Sequence, residues 1–226
     1  MKVLVLGRGK TGALVAEAAR EHGHVVQVLG SKDNENASAL TPDRLHDVAT
    51  IIDFTTPEAA PRHIEAAVRN GRNIVVGTTG WYDEIPRLRK VVEQAGVGVL
   101  YGSNFSIGVN VFFDAARVAA SALHHHYSGE IFERHHARKK DAPSGTALVL
   151  QRLIQETSEK QLEITSFREG DVVGMHEVVL NSSNDTIYLC HDAKSRRGFA
   201  EGAVRAAEWL VGKKGFFEFR DIWREL

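Results

Sequence analysis

The chain has 226 residues, 43% of them hydrophobic and 25% charged, with a formal net charge of −1. That length suits one large domain or two small ones, and the apolar fraction suits a packed core rather than a disordered chain. Near-zero charge argues against a general nucleic-acid binder. The single cysteine, Cys190, excludes an internal disulfide framework and a four-cysteine zinc site. No apolar run approaches the roughly 20 residues that span a bilayer. The short run before Gly7 has neither the length nor the cleavage site of a signal peptide. These features predict a cytoplasmic protein with no membrane and no nucleic-acid partner.

Along the first hundred residues, strand and helix signals alternate. KVLVL at 2–6 stops at Gly7, and an alanine-rich helix is predicted over 11–21. Strands follow at 24–29 and 49–54, then a helix at 57–70 with Pro57 in its first turn. A strand at 73–76, a helix at 83–95 and a strand at 96–101 complete the series. Short apolar strands between helices predict a parallel sheet covered on both faces. After Asn104 the pattern changes. A helix is expected over 107–124, strands at 130–135, 162–168, 172–181 and 185–192, and a helix near 145–157. NSSND lies between the last two strands and reads as a hairpin turn. A last helix is expected over 199–211, packing back on the first domain. The expected fold class is α/β: a Rossmann-like parallel-sheet domain over 1–104 with 197–226, and an α+β domain over 105–196.

Gly7, Arg8, Gly9, Lys10, Thr11 and Gly12 fit G-x-G-x-x-G between the first strand and the first helix. Glycines allow the tight turn and the close approach of a phosphate, which then faces the amides of the helix start. In that context the motif predicts a dinucleotide. An NAD enzyme usually carries an acid about 20 residues later for the ribose hydroxyls. Here the second strand ends at Ser31 and Lys32, which would attract a 2′-phosphate, although Asp33 could still reach the ribose. NADPH is therefore expected in preference to NADH. Gly77, Thr78 and Thr79 follow the fourth strand, and Gly102, Ser103, Asn104 and Phe105 follow the fifth. Both segments fall at the carboxyl ends of strands, where open α/β sheets bind ligands.

The densest chemistry lies at 133–146, ERHHARKKDAPSGT. Two histidines end a strand, a lysine follows three residues after the second, and a helix then begins. Ser144 or Asp141 would cap that helix, and the amides of Gly145 and Thr146 would face a carboxylate at its positive end. Nearby His and Lys side chains can donate protons or balance anionic charge. Neighbouring residues in His124-His125-His126 and in Cys190-His191 point different ways, so no metal site is expected.

At this combination the sequence resembles the dihydrodipicolinate reductase family along nearly its whole length. The resemblance rests on the glycine turn, IDFT at 52–55, GTTG at 77–80 and SNFSIGVN at 103–110. It continues through EXHHXXKXDAPSGTA at 133–147, SXREGDXVGXHEV at 166–178 and FAXGAXRAAEWL at 199–210. The resemblance implies a homotetramer built through the sheets of the second domain. It implies NADH- or NADPH-dependent reduction of a small cyclic imine dicarboxylate in the diaminopimelate pathway to lysine. By motif position it implies that His135 is the catalytic proton donor and acceptor and Lys139 a second proton donor. It places His136, Ser144, Gly145, Thr146 and Arg196 at the substrate. It places Phe54, Thr55, Gly77 to Thr79 and Gly102 to Phe105 at the cofactor, beside the glycine turn and the Ser31 and Lys32 expected there from the residues themselves. Three departures stand out: a shorter chain, a glycine turn one residue tighter with Lys10 where arginine is common, and Ser31-Lys32 where Glu then Arg is common. Two other readings use the same fold: an oxidoreductase acting on another imine or keto acid, and an NADPH-binding redox sensor. The second would have no use for His135 or Lys139.

Overall fold

The computed structural model describes residues 1–226 as two compact units, 1–106 with 197–226 and 107–196. In chain order, the first unit begins β1 (Lys2–Leu6), α1 (Lys10–Glu21), β2 (Val25–Leu29) and α2 (Pro42–Leu45). It continues β3 (Thr50–Asp53), α3 (Ala60–Arg69), β4 (Asn73–Val76), α4 (Ile85–Ala95) and β5 (Gly98–Tyr101). The second unit comprises α5 (Ile107–Ala120), β6 (Ser128–His135), α6 (Gly145–Ser158), β7 (Glu163–Arg168), β8 (Met175–Asn181) and β9 (Thr186–Asp192). The chain then returns to the first unit as α7 (Arg197–Trp209), β10 (Gly215–Glu218) and α8 (Phe219–Ile222).

The first unit is an all-parallel six-stranded sheet in the order β10-β5-β4-β3-β1-β2. The inner positions of its central strands are apolar because both faces are covered, while Lys2, Thr50, Asp53 and Asn73 stand at strand ends. Alternation divides them: Leu4, Leu6, Ile51, Ile74, Val76 and Val99 pack with Ile64 of α3 and Leu88 of α4. Val3, Val5, Ile52, Val75 and Leu100 pack on the other face with Val15 of α1 and Ala203, Val204 and Ala207 of α7. Alanine along α1 and α7 lets these helices lie close to the sheet and to each other. All strand carboxyl ends point the same way, toward the glycine turn and the loops after β2, β3, β4 and β5.

The second unit is a mixed four-stranded sheet, β7-β6-β8-β9, with β6 and β7 parallel and the other pairs antiparallel. Ile131, Val178 and Leu180 face α5 and α6, meeting Phe113, Leu150 and Ile154. The opposite face carries Phe132, Val179 and Tyr188 and is not covered by a helix.

Several expectations change here. The helix expected over 107–124 ends at Ala120, and Ser121–His125 is a 3-10 turn closed by left-handed His126. His124 thus lies outside the α-helix, its ring nitrogen near the Thr157 carbonyl at 3.3 Å. The strand expected from residue 172 starts at Met175, because Gly170 (φ +51°) turns the chain before pairing begins. The helix expected as the last element is followed by β10 and α8. β10 is only four residues long, and parallel pairing with β5 gives it its existence.

Candidate active site

In the first unit, two glycines of the turn have different reasons to be glycine. Gly7 has φ +106°, and a Cβ there would stand 2.1 Å from the Phe54 carbonyl oxygen. A Cβ on Gly12 would stand 2.2 Å from the Gly7 oxygen, so its absence lets α1 start against the turn. Gly9 faces open space. The first turn of α1 has no side-chain cap and no acidic residue, so its amide dipoles are left to attract an anion. Beside it is a cleft of about 300 Å³ lined by Gly9 to Gly12, Thr55 and Gly77 to Thr79. Phe54 borders this cleft and packs its ring where a Gly77 side chain would be, at 2.2 Å.

Gly102 donates its amide to the Val76 carbonyl at 3.2 Å, so the loop after β5 runs beside that after β4. Asn104 turns that loop by accepting the Ser106 amide at 2.9 Å, and Ser103 is exposed. Phe105 is 2% exposed and stacks at 4.6 Å on Phe219. Its side chain belongs to the core, which leaves its backbone as the group a cofactor can meet.

A second cavity, about 280 Å³, lies at the end of β2 and is lined by Gly30, Ser31, Asn34, Thr55 and His63 among others. Ser31 lines it. Lys32 is exposed in the adjoining 3-10 turn and does not. Asp33 folds back: its carboxylate accepts the Gly30 amide at 2.9 Å and pairs with Arg8 at 2.9 Å. Arg8 therefore brings the glycine turn's cation to the end of β2, a placement that linear spacing does not show. An uncapped helix start, a glycine cradle and an adjoining cavity at the end of β2 fit a dinucleotide.

In the second unit, the register of β6 assembles the site. Residues 133 and 135 share a strand face. Glu133 lies opposite His176 across the antiparallel pair, and His135 lies opposite Arg168 across the parallel pair. Glu133 is fully buried, with one oxygen on His135 Nδ1 and the other accepting from Arg168 at 2.7 Å. Burial raises the Glu133 pKa, but the hydrogen bond from Arg168 and the charges of His135 and Arg168 oppose it, and the net shift is downward. A carboxylate only accepts, so His135 carries its hydrogen on Nδ1 and presents Nε2. Burial lowers the His135 pKa, and the Glu133 anion opposes that shift. His176 packs edge-on against His135 at 5.2 Å and is pushed down by burial to about 4.

Ser144 is the N-cap of α6: its hydroxyl accepts the Ala147 amide at 3.2 Å and lies 3.1 Å from His176 Nε2. Ser144 is the cap, and Asp141 is not: Asp141 pairs with Lys139 at 2.8 Å and is held below the usual carboxylate range by that hydrogen bond. Gly145 is exposed with open space where a Cβ would go, and Thr146 follows half-buried on the first turn. His136 Nε2 lies 3.3 Å from an Arg196 guanidinium nitrogen, which joins the two ends of the unit. The structure thus links His135 to Ser144 through His176 and sets His136 with Arg196. Glu133, Arg168 and His176 are the members that residue-by-residue reading passed over, although all three stand inside the quoted 133–147 and 166–178 blocks. Glu133, His135 and His176 also offer three ligand-type atoms within 4.8 Å of one another, but Glu133 already bonds His135 and Arg168.

Similarity to known proteins follows both units. The profile described as "Dihydrodipicolinate reductase, N-terminus" matches residues 1–105, and "Dihydrodipicolinate reductase, C-terminus" matches 108–223. The 4-hydroxy-tetrahydrodipicolinate reductase of Christiangramia forsetii is 37% identical, across 100% of this chain and 99% of its own length. That of Syntrophus aciditrophicus is 40% identical across 98% of each. Among solved structures, dipicolinate-bound dihydrodipicolinate reductase from Paenisporosarcina sp. TG-14 has the same fold, with a TM-score of 0.81 over 98% of this chain and 99% of that one at 23% identity. On the two profile matches and the full-length relatives, this chain belongs to the dihydrodipicolinate reductase family.

Proposed function

We propose that this chain is a 4-hydroxy-tetrahydrodipicolinate reductase, an NAD(P)H-dependent oxidoreductase that forms tetrahydrodipicolinate on the diaminopimelate route to lysine. Relatives of that name match it over their full length. The observation that carries its chemistry is His135, held at the end of β6 by a buried carboxylate and joined through His176 to the capped start of α6.

When bound, NAD(P)H supplies the hydride. Loss of the 4-hydroxyl as water leaves the conjugated ring, and hydride added to that ring leaves negative charge on it, so an acid must deliver a proton. His135 does this from Nε2 while Nδ1 stays on Glu133, which also stabilises the imidazolium. Lys139 is the second proton donor, its ammonium oriented by Asp141. The substrate's carboxylates are held by the Arg196 guanidinium, with His136 beside it, and by the amides of Gly145 and Thr146 at the positive end of α6. NADPH is the preferred cofactor, because Ser31 lines the cavity at the end of β2 and the nearby acid, Asp33, is turned onto the Gly30 amide and neutralised by Arg8. The working form is a homotetramer built on the open face of the second unit's sheet.

The deciding assay mixes the protein with freshly prepared 4-hydroxy-tetrahydrodipicolinate and follows loss of NADPH absorbance. Turnover well above the substrate-free control is expected. No turnover with either NADPH or NADH would overturn the reading.

A further inference from the structure

Asp53, the acid inside the IDFT segment, takes no part in the chemistry above, yet it is fully buried at the carboxyl end of β3. One of its oxygens accepts from the Thr55 amide at 2.9 Å, the Thr55 hydroxyl at 2.6 Å and the Thr78 hydroxyl at 2.9 Å. The other meets His63 Nδ1 of α3 at 2.6 Å. His63 is itself 5% exposed, and its Nε2 meets the Asn34 side-chain nitrogen at 3.1 Å. The direction of this chain is settled at both ends. The Asp53 carboxylate accepts, so His63 carries its hydrogen on Nδ1. The Ala39 amide donates to Asn34 Oδ1 at 3.0 Å, so the Asn34 NH₂ faces His63, whose Nε2 accepts.

The two ends of this chain lie at different cavities. Thr78 lines the cleft at the glycine turn, Asn34 and His63 line the cavity at the end of β2, and Thr55 borders both. The loop that Asn34 anchors is under strain: Asn36 and Ala37, neither of them glycine, have φ +50° and +62°. Such conformations persist only where surrounding contacts over-determine them, and they collect at ligand clamps. We propose that Asp53, His63 and Asn34 are positioning residues for the dinucleotide: a buried hydrogen-bond chain that ties the phosphate-side strand ends to the adenosine-side loop, so that both halves of the cofactor meet a preformed surface.

The proposal rests on the NAD(P)H reading, and direct binding tests it without turnover. NADPH is titrated by fluorescence into the unmodified chain and into Asn34→Ala, His63→Leu and Val68→Ala. Val68 is a buried apolar residue of the same helix, outside both cavities, and reports destabilisation alone. Asn34→Ala and His63→Leu are expected to raise the NADPH Kd about tenfold, the scale of lost preorganisation. Their kcat at saturating NADPH should stay within about twofold of the unmodified value. Val68→Ala should lower Tm but keep the Kd. Asn34→Ala keeps the Asp53–His63 bond inside the fold and decides the matter should His63→Leu fail to fold. Unchanged Kd in Asn34→Ala, or an equal loss in Val68→Ala, overturns the proposal. Absence of NADPH binding by the unmodified chain overturns the cofactor reading itself, and the proposal with it.

Discussion

At the scale of single residues, proton delivery and binding should separate in kinetics. On the roles proposed above, His135→Gln or Lys139→Ala removes a group that acts in the transition state, so kcat should fall by about 10²-fold or more with NADPH affinity kept. His136→Ala removes a carboxylate contact made before and during reaction, so KM should rise and kcat should change little. Steady-state kinetics of the three variants check this, and near-normal kcat in His135→Gln with a lost kcat in His136→Ala would reverse the two roles. Glu133→Gln gives a further test with a definite sign. The Glu133 anion raises the His135 pKa against burial, so an uncharged amide should lower it further, while still accepting the Nδ1 hydrogen. The His135 titration, followed by nitrogen-15 NMR, should move to lower pH, and the loss of kcat/KM with rising pH should begin earlier. A titration at the unmodified position would show that Glu133 is only a packing group. Cofactor choice is also a residue-scale matter. Ser31→Glu places an anion in the wall of the cavity at the end of β2 and should shift the ratio of Kd values toward NADH. Tighter NADH than NADPH binding by the unmodified chain would remove the charge argument.

At the scale of elements, the glycine turn and α1 act as one piece. Gly12 lets the helix begin in contact with the Gly7 carbonyl, and an added Cβ at 2.2 Å has no flexible side chain to displace. Gly12→Ala should therefore cost about 1–3 kcal/mol in urea unfolding, as overpacking does. It should also weaken NADPH, because the first-turn amides move with the helix. Wild-type affinity in that variant would mean that the phosphate binds elsewhere. β6 is the second such element. Its inward residues, Ile131, Glu133 and His135, run from apolar core to polar site along a single strand face. A one-residue slip would turn Phe132 and Arg134 inward and send Glu133 and His135 to solvent, so the apolar half of the strand holds the polar half in place.

At the scale of the whole molecule, the second unit's sheet is covered by α5 and α6 on one face only. The open face carries Phe132, Phe167, Val179 and Tyr188, the last 56% exposed. An exposed patch of this kind marks an association surface, and closed symmetry is the usual outcome for copies of one chain. Light scattering should give a tetramer at micromolar concentration. Val179→Glu should shift it to smaller species, and a stable monomer of the unmodified chain would exclude this use of the sheet.

What was legible in the sequence is what neighbours in the chain decide. Apolar runs between glycines and alanine-rich stretches located β1 to β5, α1, α3 and α4 to within a few residues, while the four-residue α2 carried no such signal. G-x-G-x-x-G marked the start of α1, and the spacing from His135 to Thr146 marked a strand end leading into a helix start. These depend on periodicity, turn chemistry and helix capping, all of which act over a few residues. Ser144 as the cap, with Asp141 on Lys139 instead, was beyond that reach because both residues satisfy the same local rule. The grouping of Glu133 with Arg168 and His176, and of Asp53 with His63 and Asn34, came from sheet register and from α3 packing against β3 and the loop after β2. Tertiary structure alone decides those, because a buried polar group must find partners wherever the fold brings them, and those partners lie far away in the chain.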